Sequence, residues 1–387
     1  MGRISKQTAL MVTLGVACSF AILYPVANAA LVRTMRLPKT IINNRAVVMS
    51  VALSPDARSV FVGEALYASR KSTLGHDAQV SEFDLSSGRI VRTFGGTSDL
   101  SRNVCVTPDG QTLITGDWTK VIAWNLPTSQ VRWSFQSDKK KSSGYHGTSP
   151  VSLSPDGQVV AIGNVLIDSA SGKIIRRVGT TAPDDTGQSK FTPDGKWIGI
   201  MDAANSHERM TMRGPSEDWF KKVYATQRLR FWRTDTGGLT LDLPFVRVRA
   251  FDISPDGKWA VVTCDYDRHG GNGADGSVVR RIDLTAGSVA WTRQRSLNPP
   301  DSDPDAILNS VAISPNGKYV AVQSSDNRVI VLNAGTGQEM YRPLIKPSNE
   351  EASWAIPGGI SFSRDGRTLV SRNGRKVLVW NAATLLD

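Results

Sequence analysis

The 387-residue chain carries 46 Lys and Arg against 35 Asp and Glu, a formal charge of +11 at pH 7. An excess of that size favours anionic partners: membrane headgroups, polyanionic surface material, acidic proteins. The longest basic block is only Lys139-Lys140-Lys141, so no nucleic-acid partner is expected, and no P-loop, dinucleotide fingerprint, nucleophile elbow or paired-histidine zinc motif marks an enzyme class.

The chain opens with Arg3 and Lys6 and then has no charge from Gln7 to Val32. An apolar run from Ala9 to Tyr24 precedes Pro25-Val26-Ala27-Asn28-Ala29. A basic start, an apolar stretch and an Ala-x-Ala site make residues 1–29 a secretory signal cut after Ala29. The alternative is an inner-membrane anchor, because about 20 apolar residues span a bilayer. Gly15 stands where a lipoprotein signal has Leu, so Cys18 is not a lipidation site. Loss of Arg3 and Lys6 with residues 1–29, which hold no acid, lowers the charge from +11 to +9. A periplasmic or extracellular location follows. Cys105 and Cys264 remain; they fall in distant repeats and are expected as two buried free thiols.

Residues 30–387 read as one domain built on a short motif that recurs seven times. The copies are Ser54-Pro55-Asp56-Ala57, Thr107-Pro108-Asp109-Gly110, Ser154-Pro155-Asp156-Gly157, Thr192-Pro193-Asp194-Gly195, Ser254-Pro255-Asp256-Gly257, Ser314-Pro315-Asn316-Gly317 and Ser363-Arg364-Asp365-Gly366. Pro presets the first corner of a tight turn, Asp suits the second, and Gly accepts the left-handed closing position. Apolar runs flank every copy. In the sixth repeat the grammar predicts strand a over 311–314, strand b over 318–323, strand c over 328–333 and strand d over 338–344. Four-stranded units at this spacing are propeller blades. The expected fold is all-β: a seven-bladed β-propeller. The seventh repeat lacks its own fourth strand, and Ala30–Leu37 is expected to supply it and to cover the exposed edge.

Third strands end in Phe83-Asp84, Trp124-Asn125, Ile167-Asp168, Trp232-Arg233, Ile282-Asp283, Leu332-Asn333 and Trp380-Asn381, several followed by a Ser-Gly or Thr-Gly turn. In these residues the chain resembles the WD40 repeat family over about residues 47–387, although the Gly-His pair that opens a standard repeat is absent. The resemblance implies a rigid, non-enzymatic, monomeric interaction platform. Ala123–Trp133 and Asp283–Trp291 also resemble the tryptophan-docking pattern of pyrroloquinoline-quinone propellers, which implies that Trp133 and Trp291 staple neighbouring blades.

In an antiparallel meander the a–b and c–d turns share one face, and the b–c and d–a loops share the other. Every long insertion falls on the second face, including 66–79, 137–148, 202–228 and 265–276. Function on repeat scaffolds gathers where insertions do. In 202–228, Trp219 with Val223 and Phe220 with Tyr224 are i, i+4 pairs of a short helix opened by Pro215-Ser216. Trp219, Phe220, Tyr224, Lys139, Lys140 and Lys141 are the expected partner-binding residues, for a protein or an anionic envelope surface. His76, His146, His207 and His269 come from four separate loops without ligand spacing. The loop holding Asp265, Asp267 and Asp275 resembles a calcium-binding nonapeptide, in a single copy and with Gly276 where an EF-hand has its bidentate Glu. Two functions follow. The first is an exported scaffold without cofactor; the second is an exported enzyme or cofactor binder, quinoprotein-like or a calcium-assisted hydrolase.

Overall fold

The computed structural model describes residues 39–43, 46–65, 78–97, 103–116, 120–136, 151–179, 186–203, 227–245, 248–265, 277–294, 307–341 and 359–383. The motif itself explains the local folding. In the first copy Ser54 Oγ donates to Asp56 Oδ1 at 2.6 Å, and Asp56 Oδ1 accepts from the Arg58 amide at 3.1 Å. The Ser59 amide donates to Ser54 Oγ at 2.9 Å, and the Ala57 amide to the Ser54 carbonyl at 2.9 Å. The Thr107, Ser154, Thr192, Ser254, Ser314 and Ser363 turns repeat the hydroxyl-to-Asp or hydroxyl-to-Asn bond. One hydroxyl and one carboxylate or amide oxygen thus satisfy the corner's backbone amides from within the motif. Gly closes six of the turns at positive φ, and Ala57 does so at φ 54°. A left-handed alanine is strained by about 1 kcal/mol. Ala57→Gly is therefore expected to raise the guanidinium unfolding midpoint; a lower midpoint would show that the turn is not strained.

Each turn joins the first two strands of a four-stranded antiparallel sheet, and there are seven such sheets. The inner strands a are Val47–Leu53, Asn103–Val106, Val151–Leu153, Thr186–Phe191, Ala250–Ile253, Leu308–Ile313 and Ile360–Phe362. They touch one another in a closed cycle, the seventh returning to the first. In blade 6 strands a to d are Leu308–Ile313, Tyr319–Ser324, Val329–Asn333 and Glu339–Tyr341, close to the bounds expected from sequence. The fold is a seven-bladed β-propeller.

The core lies between blades rather than at the centre. Seven buried clusters each draw on two adjacent blades, such as Phe61, Val80 and Phe94 of blade 1 against Leu113 and Leu126 of blade 2. Each sheet is apolar on both faces because both are covered, hence the near-continuous Val and Ile runs. The outer strands behave differently. They expose Ile90, Val131, Ile174, Leu239 and Val289 at equivalent positions of blades 1 to 5, two residues beyond the left-handed residue of the c–d turn. Charged residues such as Arg92 and Arg132 interrupt these edges, which discourages pairing with other chains.

Closure uses an N-terminal strand, but not the one expected. Lys39–Ile42 pairs antiparallel with the last strand, Lys39 opposite Val379 and Ile42 opposite Lys376. Residues 30–38 lie outside the described residues, as do 1–29 with the expected signal. The register is set by packing: Ile41 is 2% exposed, in a cluster with Val48, Val60, Phe83, Val370 and Val377, whereas Ile42 is 56% exposed. Lys39 Nζ reaches the carbonyls of Leu85 and Ser86, tying the closing strand to blade 1.

The turn carboxylates make stability acid-sensitive. Asp56, Asp109, Asp156 and Asp365 are held below the usual 3.8, first by the motif hydroxyl and then by the backbone amide two residues on. In Asp194 and Asp256 burial pushes upward, but the same two bonds outweigh it. Asp84 is lowered to about 2, first by the Ser86 hydroxyl, and Asp235 to about 2, first by Arg233. A folded value below the unfolded one contributes stability above the unfolded pKa, and that stability is lost as pH falls through the folded value. The melting temperature is therefore expected to fall steadily as pH drops from about 4 towards 2. A flat profile across that window would contradict the hydrogen-bonded turns.

Candidate functional site: the axial cavity and the loop-bearing face

Of the residues singled out by sequence, Asp265 ends strand b of blade 5 (Trp259–Asp265). Asp267, Asp275, the four histidines, Lys139, Lys140, Lys141, Trp219, Phe220 and Tyr224 all lie outside the described residues. Among the described residues no group of three or more His, Cys, Asp or Glu is placed to hold a metal ion, and no helix is long and apolar enough to cross a membrane.

The described strands show what the loops stand on. Along the inner strands, buried polar side chains tie several neighbouring blades together. The Phe251 amide donates to Gln188 Oε1 at 2.9 Å, the Gly359 amide to Ser310 Oγ at 3.1 Å, and Ser152 Oγ meets Ser189 Oγ at 3.0 Å. Gln323 Nε2 donates to the Arg372 carbonyl at 2.6 Å, and Arg372 Nη1 to the Met49 carbonyl at 3.2 Å, across the blade 7–blade 1 junction. Arg372 is 1% exposed, and burial lowers its guanidinium to about 10. These are charge-assisted or fully desolvated bonds, so they fix blade positions more firmly than surface pairs would.

Tryptophans do the same at the outer wall. Trp133 Nε1 donates to the Ser169 carbonyl at 2.8 Å, and Trp291 Nε1 to the Ala334 carbonyl at 2.9 Å, each reaching the following blade. A Cβ added at Gly172 would lie 2.6 Å from the Trp133 ring, and one at Gly337 2.8 Å from Trp291. Both glycines have positive φ, 72° and 69°. Each indole therefore rests directly on a left-handed glycine of the next c–d turn, which is the inter-blade staple expected from the docking pattern.

On the axis, a cavity of about 520 Å³ runs along the inner strands as far as the Pro-Asp-Gly turns, where Pro55, Pro108 and Arg364 line it. Its walls include Leu53, Val106, Leu153, Phe191 and Phe362, each directly before the motif hydroxyl. One residue further back, equivalent inner-strand positions hold Ala52, Cys105, Ser152, Lys190, Asp252, Ala312 and Ser361. Lys190 Nζ pairs with Asp252 Oδ1 at 3.1 Å, and Asp252 Oδ2 accepts from the Ile313 amide at 2.8 Å. Cys105 is a free thiol on the cavity wall and only half-buried, unlike Cys264, which is fully buried. Both had been expected buried. Cys105 differs because its strand borders the open axis rather than a neighbouring sheet alone. Desolvation pushes its thiol up to about 12, with Lys190 acting in the opposite sense. Arg364 reaches the mouth from the position that Pro holds in the other six turns.

Lys190, Asp252 and Cys105 carry no motif, and sequence reasoning passed over them. Stacking the seven repeats on their Ser or Thr would have placed all three in one ring; the degraded turn at Arg364 was visible but its place on the axis was not.

The sequence model of the family described as outer membrane protein assembly factor BamB (PQQ_2) matches residues 223–384, less than half of the chain. No curated protein matches it. Among solved structures, a chain of Kuenenia stuttgartiensis hydrazine synthase is similar in fold at 16% identity, with a TM-score of 0.64 covering 89% of this chain and 97% of that one. The chain is a repeat-built seven-bladed propeller whose last blades are similar in sequence to the BamB family.

Proposed function

We propose that this protein is an exported, non-enzymatic scaffold of WD40-like repeat grammar that binds a cell-envelope protein through its loop-bearing face. The observation that carries this is the asymmetry of the ring. One face consists of the seven a–b hairpins, of nearly the same length and hydrogen bonding, with the short c–d turns beside them, while all the long connections leave from the other. A scaffold hydrogen-bonded across its blade junctions holds those loops in fixed relative positions, which lowers the ordering cost of binding. The similarity of residues 223–384 to a family named for outer membrane protein assembly supports an envelope protein as partner and the periplasm as location. Trp219, Phe220 and Tyr224 supply the aromatic anchors in this account, and Lys139, Lys140 and Lys141 the attraction for an acidic surface.

The quinoprotein-like reading draws on a separate observation, the two tryptophans seated on glycines of the next blade. In that reading Asp265, Asp267 and Asp275 hold calcium.

Replacing 204–226 and 137–150 by short Gly-Ser linkers separates the two. The scaffold account expects each deletion to weaken capture of the envelope partner at least tenfold or so. Lys196→Glu and Lys318→Glu, on the plain-turn face, should leave capture unchanged. Capture that survives both deletions would remove the loop-bearing face from the account.

A further inference from the structure

We propose that the axial cavity is a binding site for a small organic oxyanion, a carboxylate or phosphate held between Lys190 and Arg364. The inference is independent of the scaffold reading and concerns the opposite end of the ring from the long loops.

Three features carry it. First, the charged residues that line the cavity are both cationic. They are Lys190 and Arg364, with no Asp or Glu among the lining residues. Asp252 stands behind Lys190 and has both oxygens engaged, one with the ammonium and one with the Ile313 amide. An ammonium has three donors, so two of Lys190's remain for the cavity. The turn carboxylates Asp56, Asp109, Asp156, Asp194, Asp256 and Asp365 keep their charge, but each accepts a hydroxyl and a backbone amide of its own turn and none lines the cavity.

Second, Arg364 departs from the turn grammar in the one place where the departure adds a donor to the axis. Pro presets this corner in six blades, so Arg forgoes a favourable turn residue. In exchange it brings a planar guanidinium that can grip an oxyanion with two parallel bonds.

Third, the surroundings suit a small molecule. About 520 Å³ falls in the range of small-ligand sites. The hydroxyls of Ser50, Ser152, Ser189 and Ser361 line the walls beside Leu53, Leu153 and Phe362. Apolar walls lower the local dielectric and strengthen the pull of both cations on an anion.

Cys105 offers a built-in reporter, because it lines the same cavity while Cys264 is fully buried; its raised thiol calls for modification at about pH 9, where more thiolate is present. The full-length protein would be treated with two methanethiosulfonate reagents of similar size, one bearing a sulfonate and one a trimethylammonium group. Modification would be read on the Cys105 peptide by mass spectrometry. At low salt the anionic reagent is expected to react about tenfold faster, and the ratio to fall to about threefold or less in Arg364→Pro and in Lys190→Gln. Arg364→Pro restores the turn sequence of the other blades, so it should fold at least as well as the parent. Millimolar succinate or inorganic phosphate should slow the reaction in the parent and not in Arg364→Pro. Protection by only one of them identifies the headgroup. A cationic reagent that reacts as fast or faster overturns the proposal, as does absence of protection by either anion, or protection that persists in Arg364→Pro.

Discussion

Ile41→Asp is expected to destabilise the ring by about 4 kcal/mol or more, because it places an unpaired carboxylate in a sealed apolar cluster. Ile41 is 2% exposed and packs between the last blade and the first, against Val48, Val60, Val370 and Val377. Its neighbour Ile42 is 56% exposed on the same strand, so Ile42→Asp should change stability by no more than about 0.5 kcal/mol. The pair is informative because the two substitutions are chemically identical and one residue apart. A one-residue slip of the strand would send Ile41 to solvent and Ile42 inward. Guanidinium unfolding of both variants measures the difference. Equal effects, or a larger loss at Ile42, would mean that the closing strand pairs in another register.

Trp133→Ala should be nearly as costly, about 3–5 kcal/mol. The indole is 8% exposed, its N–H is committed to the Ser169 carbonyl, and its ring covers Gly172. Trp133→Phe keeps most of the contact and loses the bond, so a smaller loss of about 1–2 kcal/mol is expected. Gly172→Ala drives a methyl into the ring from a backbone at φ 72°, and should be strongly destabilising while Trp133 is present. The double variant Trp133→Ala, Gly172→Ala should cost clearly less than the sum of the two, since the clash disappears with the indole. Additive effects in the unfolding midpoints would show that the two residues do not act as one staple.

The parts of this fold that were legible in the sequence are those governed by local chemistry. The Ser-Pro-Asp-Gly motif makes its own hydrogen bonds within six residues, so it can be read wherever it occurs, and seven copies count seven blades. The closing strand was misplaced by a few residues because Ala30–Leu37 and Lys39–Ile42 both suit a strand. What selects the second is contact between Ile41 and residues from blades 1 and 7, which no local pattern encodes. The axial cavity was illegible for the same reason. Lys190 sits among polar residues in Thr186–Phe191 and Asp252 alone in an apolar strand, and only the packing of blade 4 on blade 5 brings them to 3.1 Å. The expected partner and calcium residues, Trp219 and Asp267 among them, fall on the long insertions, outside the described residues.

The closed, stapled ring is proposed as a platform for binding a protein rather than as a housing for redox or metal chemistry. Native mass spectrometry of the full complex, purified gently from the cells that make it, tests this most directly. The account predicts the propeller polypeptide in stoichiometric complex with an envelope protein, and loss of that complex when 204–226 is replaced by a linker. A stoichiometric quinone or calcium ion on the isolated ring, with no protein partner retained, would contradict it.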